Sequence, residues 1–161
     1  SGEEAYFDIT WINFEEEDEQ RNVWYYTDWS SLDVSEAPGS DVLCVYANEE
    51  LRSQFKRLEN NIHFGHLVIR QMVTDILLDI TCTTMANAEL SIEPQSESLH
   101  EKMQFLMKSQ GHDFDDLALK YKQSDGLAKK DLETSFKKII QKLFEVGDEL
   151  RNVQFGGYRP A

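Results

Sequence analysis

Lysine and arginine are scarce in this chain and almost missing from its beginning. Its 161 residues carry 16 basic side chains against 30 acidic ones, a formal net charge of −14. The imbalance is local. Residues 1–60 hold 15 acids and 4 bases, whereas residues 111–161 hold 9 of each. A direct grip on a nucleic-acid backbone relies on Lys and Arg to neutralise phosphates, so direct nucleic-acid binding is not expected. An acidic surface of this kind attracts basic partners, and it also serves simply to keep a chain soluble.

Cysteine is scarce too. Cys44 and Cys82 are too few for a disulfide scaffold, and neither belongs to a CxxC pair. Both lie in apolar contexts and read as reduced core residues. The chain lacks an uninterrupted apolar run of bilayer length. Its longest apolar-rich stretch, Phe64–Met85, contains Arg70, Asp75 and Asp79, each costly at a bilayer centre. No secretory signal is read in the opening SGEEAYFD, so the expected setting is the cytoplasm. The leading Ser-Gly fits a piece of a larger assembly. Also missing are a Gly-rich phosphate loop, a GxSxG elbow and an HExxH helix. No catalytic residue and no cofactor is therefore expected.

A hydrophobic content of 40% and an aromatic content of 11% mark a chain that folds. Its length fits one domain over 1–161. Strands are expected over residues 1–47. Tyr6–Phe14 and Val23–Trp29 alternate, with the acidic loop Glu15–Glu19 and residues 20–22 between them as a hairpin connection. Asp41–Ala47 is a short continuous apolar run, suited to a central strand. Pro38-Gly39 marks the turn before it.

Helices follow. Two are expected over 48–90. Asn48 caps the first, whose apolar side is Leu51, Phe55 and Leu58. The second is the central stretch itself. Ile69, Val73, Ile76 and Ile80 are spaced 4, 3 and 4, and Gln71, Asp75 and Asp79 form an opposite strip. Its many β-branched residues make a strand over Thr81–Thr84 the competing reading. A linker at 91–98 contains Pro94. Residues 99–152 read as helices, with Ser98 and Asp113 as caps and Gly111 as a stop. The last helix, expected from Leu127 to Asn152, repeats Leu132, Phe136, Ile139, Leu143, Val146 and Leu150 at spacings of 4, 3, 4, 3 and 4. Such a seam covers another helix, either the central one or one from a second copy. Residues 153–161 read as a loose tail.

The expected fold is thus α+β: a small antiparallel sheet of about three N-terminal strands against a C-terminal layer of about five helices. The expected function is a protein-interaction or oligomerisation module, with a protein partner or a second copy of itself in a homo-oligomer. Its expected interface residues are the six seam residues together with Trp24 and Trp29. A second reading is an acidic inhibitor that imitates nucleic-acid charge, centred on Glu15–Glu19. A third is a metal-dependent hydrolase using Asp75, Asp79 and a histidine from His63, His66, His100 or His112. Helix geometry weakens that third reading, because at roughly 100° per residue Asp75 and Asp79 point away from His66. No resident metal is expected.

Overall fold

The computed structural model describes residues 7–14, 23–62 and 64–146. Three strands, β1 (Ile9–Ile12), β2 (Tyr25–Trp29) and β3 (Leu43–Asn48), form one sheet in the order β1-β3-β2. The apolar run takes the centre, as expected. The sheet is mixed, however, and not antiparallel throughout. β2 pairs antiparallel with β3, while β1 pairs parallel with it. β3 has a hydrogen-bonded neighbour along each of its two edges. β1 and β2 therefore flank it and form no hairpin with each other. The chain reverses before β2 and again before β3, so the first and third strands run the same way. The acidic loop Glu15–Glu19 lies outside the described residues.

β3 begins two residues later than Asp41, because α1 (Gly39–Val42) is a single helical turn leading into it. Alternation then sets the two faces of the sheet. Leu43, Val45 and Ala47 are buried on the inner face, and Cys44 and Tyr46 are half-buried on the outer one. Across the antiparallel pairing, Trp29, Thr27 and Tyr25 lie beside the inner row, and Asp28 and Tyr26 beside the outer row.

Asn48 Oδ1 accepts the Glu50 N–H at 3.1 Å and starts a 3₁₀ turn, Glu49–Leu51, that leads into α2 (Arg52–Glu59). α3 (Phe64–Asn87) is the hub of the helical layer. It packs against α2, α4 (Leu99–Ser109), α5 (Phe114–Gln123) and α6 (Gly126–Leu143). The elbow between α2 and α3 depends on Gly65. A Cβ at that position would sit 1.8 Å from the Leu58 carbonyl oxygen, far inside van der Waals contact.

Residues 81–84 are helical. Helix α3 carries its threonines by giving some of their hydroxyls partners. Thr74 Oγ1 donates back to the Arg70 carbonyl at 2.7 Å, and Thr81 Oγ1 reaches Met103 Sδ at 3.6 Å. The Thr84 hydroxyl is buried without one. The caps fall where the sequence put them. Ser98 Oγ accepts from Glu101 N and Asp113 Oδ1 from Asp116 N. At the end of α4, Gly111 takes a left-handed φ of +79°, and the Gly111 and His112 N–H groups bond back to Lys108 and Met107, closing the last turn.

α6 ends at Leu143, the backbone turns at residues 144–145 and is helical again at Val146, and the expected end at Asn152 lies outside the described residues. Glu145 has a φ of +52°, which turns the backbone out of the helix. Leu150 lies outside the described residues. Phe136 and Ile140 are fully buried, and one apolar cluster joins them to β3, α3, α4 and α5.

Candidate functional site

The acidic strip of α3 meets the inner row of β2. Tyr25 Oη donates to Asp75 Oδ2 at 2.7 Å, Thr27 Oγ1 to Asp79 Oδ2 at 2.6 Å, and Trp29 Nε1 to the same oxygen at 3.2 Å. The match follows from repeat lengths. Four residues of helix rise about 6 Å, and two residues of strand about 6.8 Å, so donors at every second strand position meet acceptors at every fourth helix position. Asp75 and Asp79 remain exposed, as does Gln71 one turn earlier. Among the described residues neither carboxylate has a cationic partner. Arg70 donates instead to the Phe144 carbonyl. Partial burial, and then the bond to Asp75, hold the Tyr25 phenol well above its ordinary pKa.

β2 is also an edge. Asn48 N donates to Trp24 O and Ser30 N to Val42 O, both at 2.8 Å. Antiparallel pairing alternates, so positions 24, 26, 28 and 30 turn their backbone groups towards β3. Tyr25, Thr27 and Trp29 turn theirs outward, and among the described residues no backbone group takes them up.

A second polar array is buried. Ser35 Oγ lies 2.9 Å from His100 Nδ1, and His100 Nε2 lies 2.8 Å from Asp115 Oδ1. Ser35 Oγ also accepts the Glu89 N–H at 2.9 Å. A ring proton on Nε2 facing the carboxylate, with the Ser35 hydroxyl donating to Nδ1, is one tautomer that satisfies both contacts. Gln104 Nε2 also bonds Asp115. Serine, histidine and aspartate in a row suggest nucleophilic catalysis, but exposure runs the wrong way. Ser35 is 1% and His100 0% exposed, whereas the Asp115 side chain is 40% exposed. The neighbouring cleft of about 570 Å³, lined by Gln104, Lys108, His112, Phe114 and Asp115, opens on the carboxylate and not on the hydroxyl. The array ties the segment around Ser35 and the linker at Glu89 to α4 and α5.

The expected site residues divide accordingly. Asp75 and Asp79 come together, but on Tyr25, Thr27 and Trp29 and not on a histidine. His66 Nε2 donates to the Glu59 carbonyl at 3.1 Å, and His112 is exposed at the 570 Å³ cleft. His63 lies outside the described residues. Among the described residues no group of three His, Cys, Asp or Glu side chains is placed to hold a metal.

Of the seam residues, Phe136 is fully buried, and Leu132, Ile139 and Leu143 pack half-buried against the core. Val146 is half-buried. α6 lies against α3, so the seam covers the central helix. Trp24 packs edge-on against Tyr25 and Phe55, with ring centroids 5.5 and 6.4 Å away. Trp29 is tied to Asp79. Cys44 and Cys82 are free thiols, and burial pushes the Cys82 thiol up to about 11.

Sequence reasoning missed Ser35 and Asp115. They stand 65 and 15 positions from His100, and no motif links them. A signal for His100 itself was present, since His100, Met103 and Met107 share one buried face of α4 at spacings of 3 and 4. No protein-family model matches this chain, and no curated protein or solved structure matches it either.

Proposed function

We propose that the chain is a protein-interaction module whose working surface is its small sheet. The observation that supports this is the contrast between the two faces of that sheet. On the inner face Val45 and Ala47 are 1% and 2% exposed. On the outer face Thr10, Tyr26 and Asp28 are exposed, Tyr26 by 37%. Tyr26 packs against Tyr46 and Phe14 with ring centroids 5.4 Å away in each case. Phe14 is buried and Tyr46 half-buried beneath it, so Tyr26 is the exposed ring of an aromatic group with polar rims, a composition favoured at protein interfaces. The α6 seam packs against α3, and the surface proposed for a partner is therefore taken from the sheet.

The acidic-inhibitor reading keeps some support. Residues 23–50 contain Asp28, Asp33, Glu36, Asp41, Glu49 and Glu50 and no Lys, Arg or His. It differs in its partner, which would be a basic nucleic-acid-binding protein.

Affinity capture run in parallel with the parent chain and with Tyr26→Arg/Tyr46→Arg tests the first reading. A partner held by the parent and lost by the variant is expected. Identical capture by both, with a single chain per particle by light scattering at every concentration, overturns it. A captured partner that nucleic acid displaces selects the inhibitor reading.

A further inference from the structure

We propose that the free edge of β2, together with the acidic strip of α3 beside it, takes an extended basic segment of another protein by strand addition. The inference rests on the interaction reading above and names the surface and chemistry of the partner.

Three observations meet at this edge. The backbone N–H and C=O groups of Tyr25, Thr27 and Trp29 point outward with no backbone partner among the described residues. An unpaired edge of this kind is a template for a further strand. Asp75 and Asp79 lie level with that edge, held there by the side chains of β2 through their Oδ2 atoms. Among the described residues no hydrogen bond uses either Oδ1, and both residues are exposed. Asp28 is exposed on the opposite face of the same strand.

A strand added about 4.8 Å beyond β2 would direct alternate side chains over the Asp75/Asp79 pair and the others towards Asp28 and Tyr26. Basic residues two apart on that strand repeat at about 6.8 Å, close to the rise between Asp75 and Asp79. The partner is therefore a segment with Lys or Arg at alternate positions, its inner cations paired with the strip and its backbone paired with β2.

A second copy of this chain fits poorly. Pairing β2 with itself would bring two Asp75/Asp79 strips together between chains that each carry a formal charge of −14.

Three synthetic nine-residue peptides test the proposal. One alternates Lys with Val or Thr, one replaces each Lys by Glu, and one keeps the lysines but places Pro between them so that it cannot pair as a strand. Binding would be followed by calorimetry and by amide shifts of the labelled full chain, at low and high salt. The alternating Lys peptide should bind, shift the amides of Tyr25, Thr27 and Trp29, and weaken with salt. The Glu and Pro peptides should not bind. Asp75→Asn/Asp79→Asn keeps an acceptor for the strand donors but removes the charge, and it should weaken the Lys peptide about tenfold with the amide spectrum otherwise unchanged. Absence of binding overturns the proposal. So does binding that survives Asp75→Asn/Asp79→Asn or that the Pro peptide equals. If any of these results stands beside a natural partner lost in Tyr26→Arg/Tyr46→Arg, the interaction reading survives and the β2 edge is removed from it.

Discussion

Asp79 on α3 and Asp115 on α5 both accept hydrogen bonds from side chains distant in sequence, but in opposite surroundings. At the β2–α3 seam, two carboxylates take bonds from three residues of an edge strand and stay exposed. At the Ser35–His100–Asp115 array, the serine and imidazole are sealed and only the carboxylate reaches water. In the sealed array each polar group has its match. Ser35 takes the Glu89 N–H, the ring takes Ser35 and Asp115, and Gln104 completes the carboxylate. Buried polar groups must be matched in this way or cost stability. Groups at the open seam face no such demand and keep acceptor capacity. The difference separates a device that holds the fold from a surface that can hold something else.

Breaking the sealed array is expected to cost most. His100→Ala strips Ser35 and Asp115 of their shared partner and leaves a cavity beside Phe114, whose ring centroid lies 5.2 Å from the imidazole. A loss of about 3 kcal/mol in urea unfolding is expected. Breaking the open seam should cost less. Asp79→Ala removes the acceptor of Thr27 and Trp29, but water can take up both donors, so a loss of about 1–2 kcal/mol is expected. Equal losses at the two sites would erase the distinction drawn between them.

Local pattern placed the elements, the central strand, the caps at Asn48, Ser98 and Asp113, and the stop at Gly111. Each of these depends on neighbours within a few positions. Strand order and direction do not, and β1 was therefore set antiparallel when it pairs parallel with β3. The strip at Asp75 and Asp79 was legible because it repeats every four residues. What faces it was not, since Tyr25 and Asp75 are 50 positions apart. The sealed array was hidden for the same reason. The break in the last helix was not legible, because the apolar period runs on through Val146 and Leu150, while the left-handed backbone at Glu145 leaves no mark in that period.

The two faces of α3 carry the comparison into a single helix. Its acidic strip has polar atoms open to water, whereas its core face holds the one orphaned buried hydroxyl found among the described residues, that of Thr84. Replacing it by a methyl group removes an unmatched polar group at almost constant shape. Thr84→Val should stabilise the chain by about 1 kcal/mol, read as a higher urea midpoint with an unchanged slope. A loss of stability would mean that the hydroxyl is matched after all.

The last effect is expected on the alkaline side and separates the regions by pH. Burial raises the Cys82 thiol from 9.0 to about 11, with Glu133 next among the causes. The folded chain thus holds that proton more tightly than the unfolded chain. The contribution is complete below pH 9 and is lost as pH rises from 9 towards 11. Tyr25 is likewise raised from 10.0, by burial and then by Asp75, so its contribution persists until pH passes 10 and declines above that. The closed helical core should therefore begin to loosen at lower pH than the β2–α3 seam. Thiolate absorbance in Cys44→Ser protein reports Cys82 alone. Tyrosinate absorbance compared between parent and Tyr25→Phe reports the seam, and the latest-ionising part of the signal should shrink in that variant. Tyr121 is also held high by burial beside Cys82 and Glu133, so Tyr25→Phe should reduce the late fraction without abolishing it. A Cys82 thiol that titrates at its ordinary value would show that the core face of α3 is as open to water as its acidic strip, and the contrast between the sealed and open sides of the helix would fall.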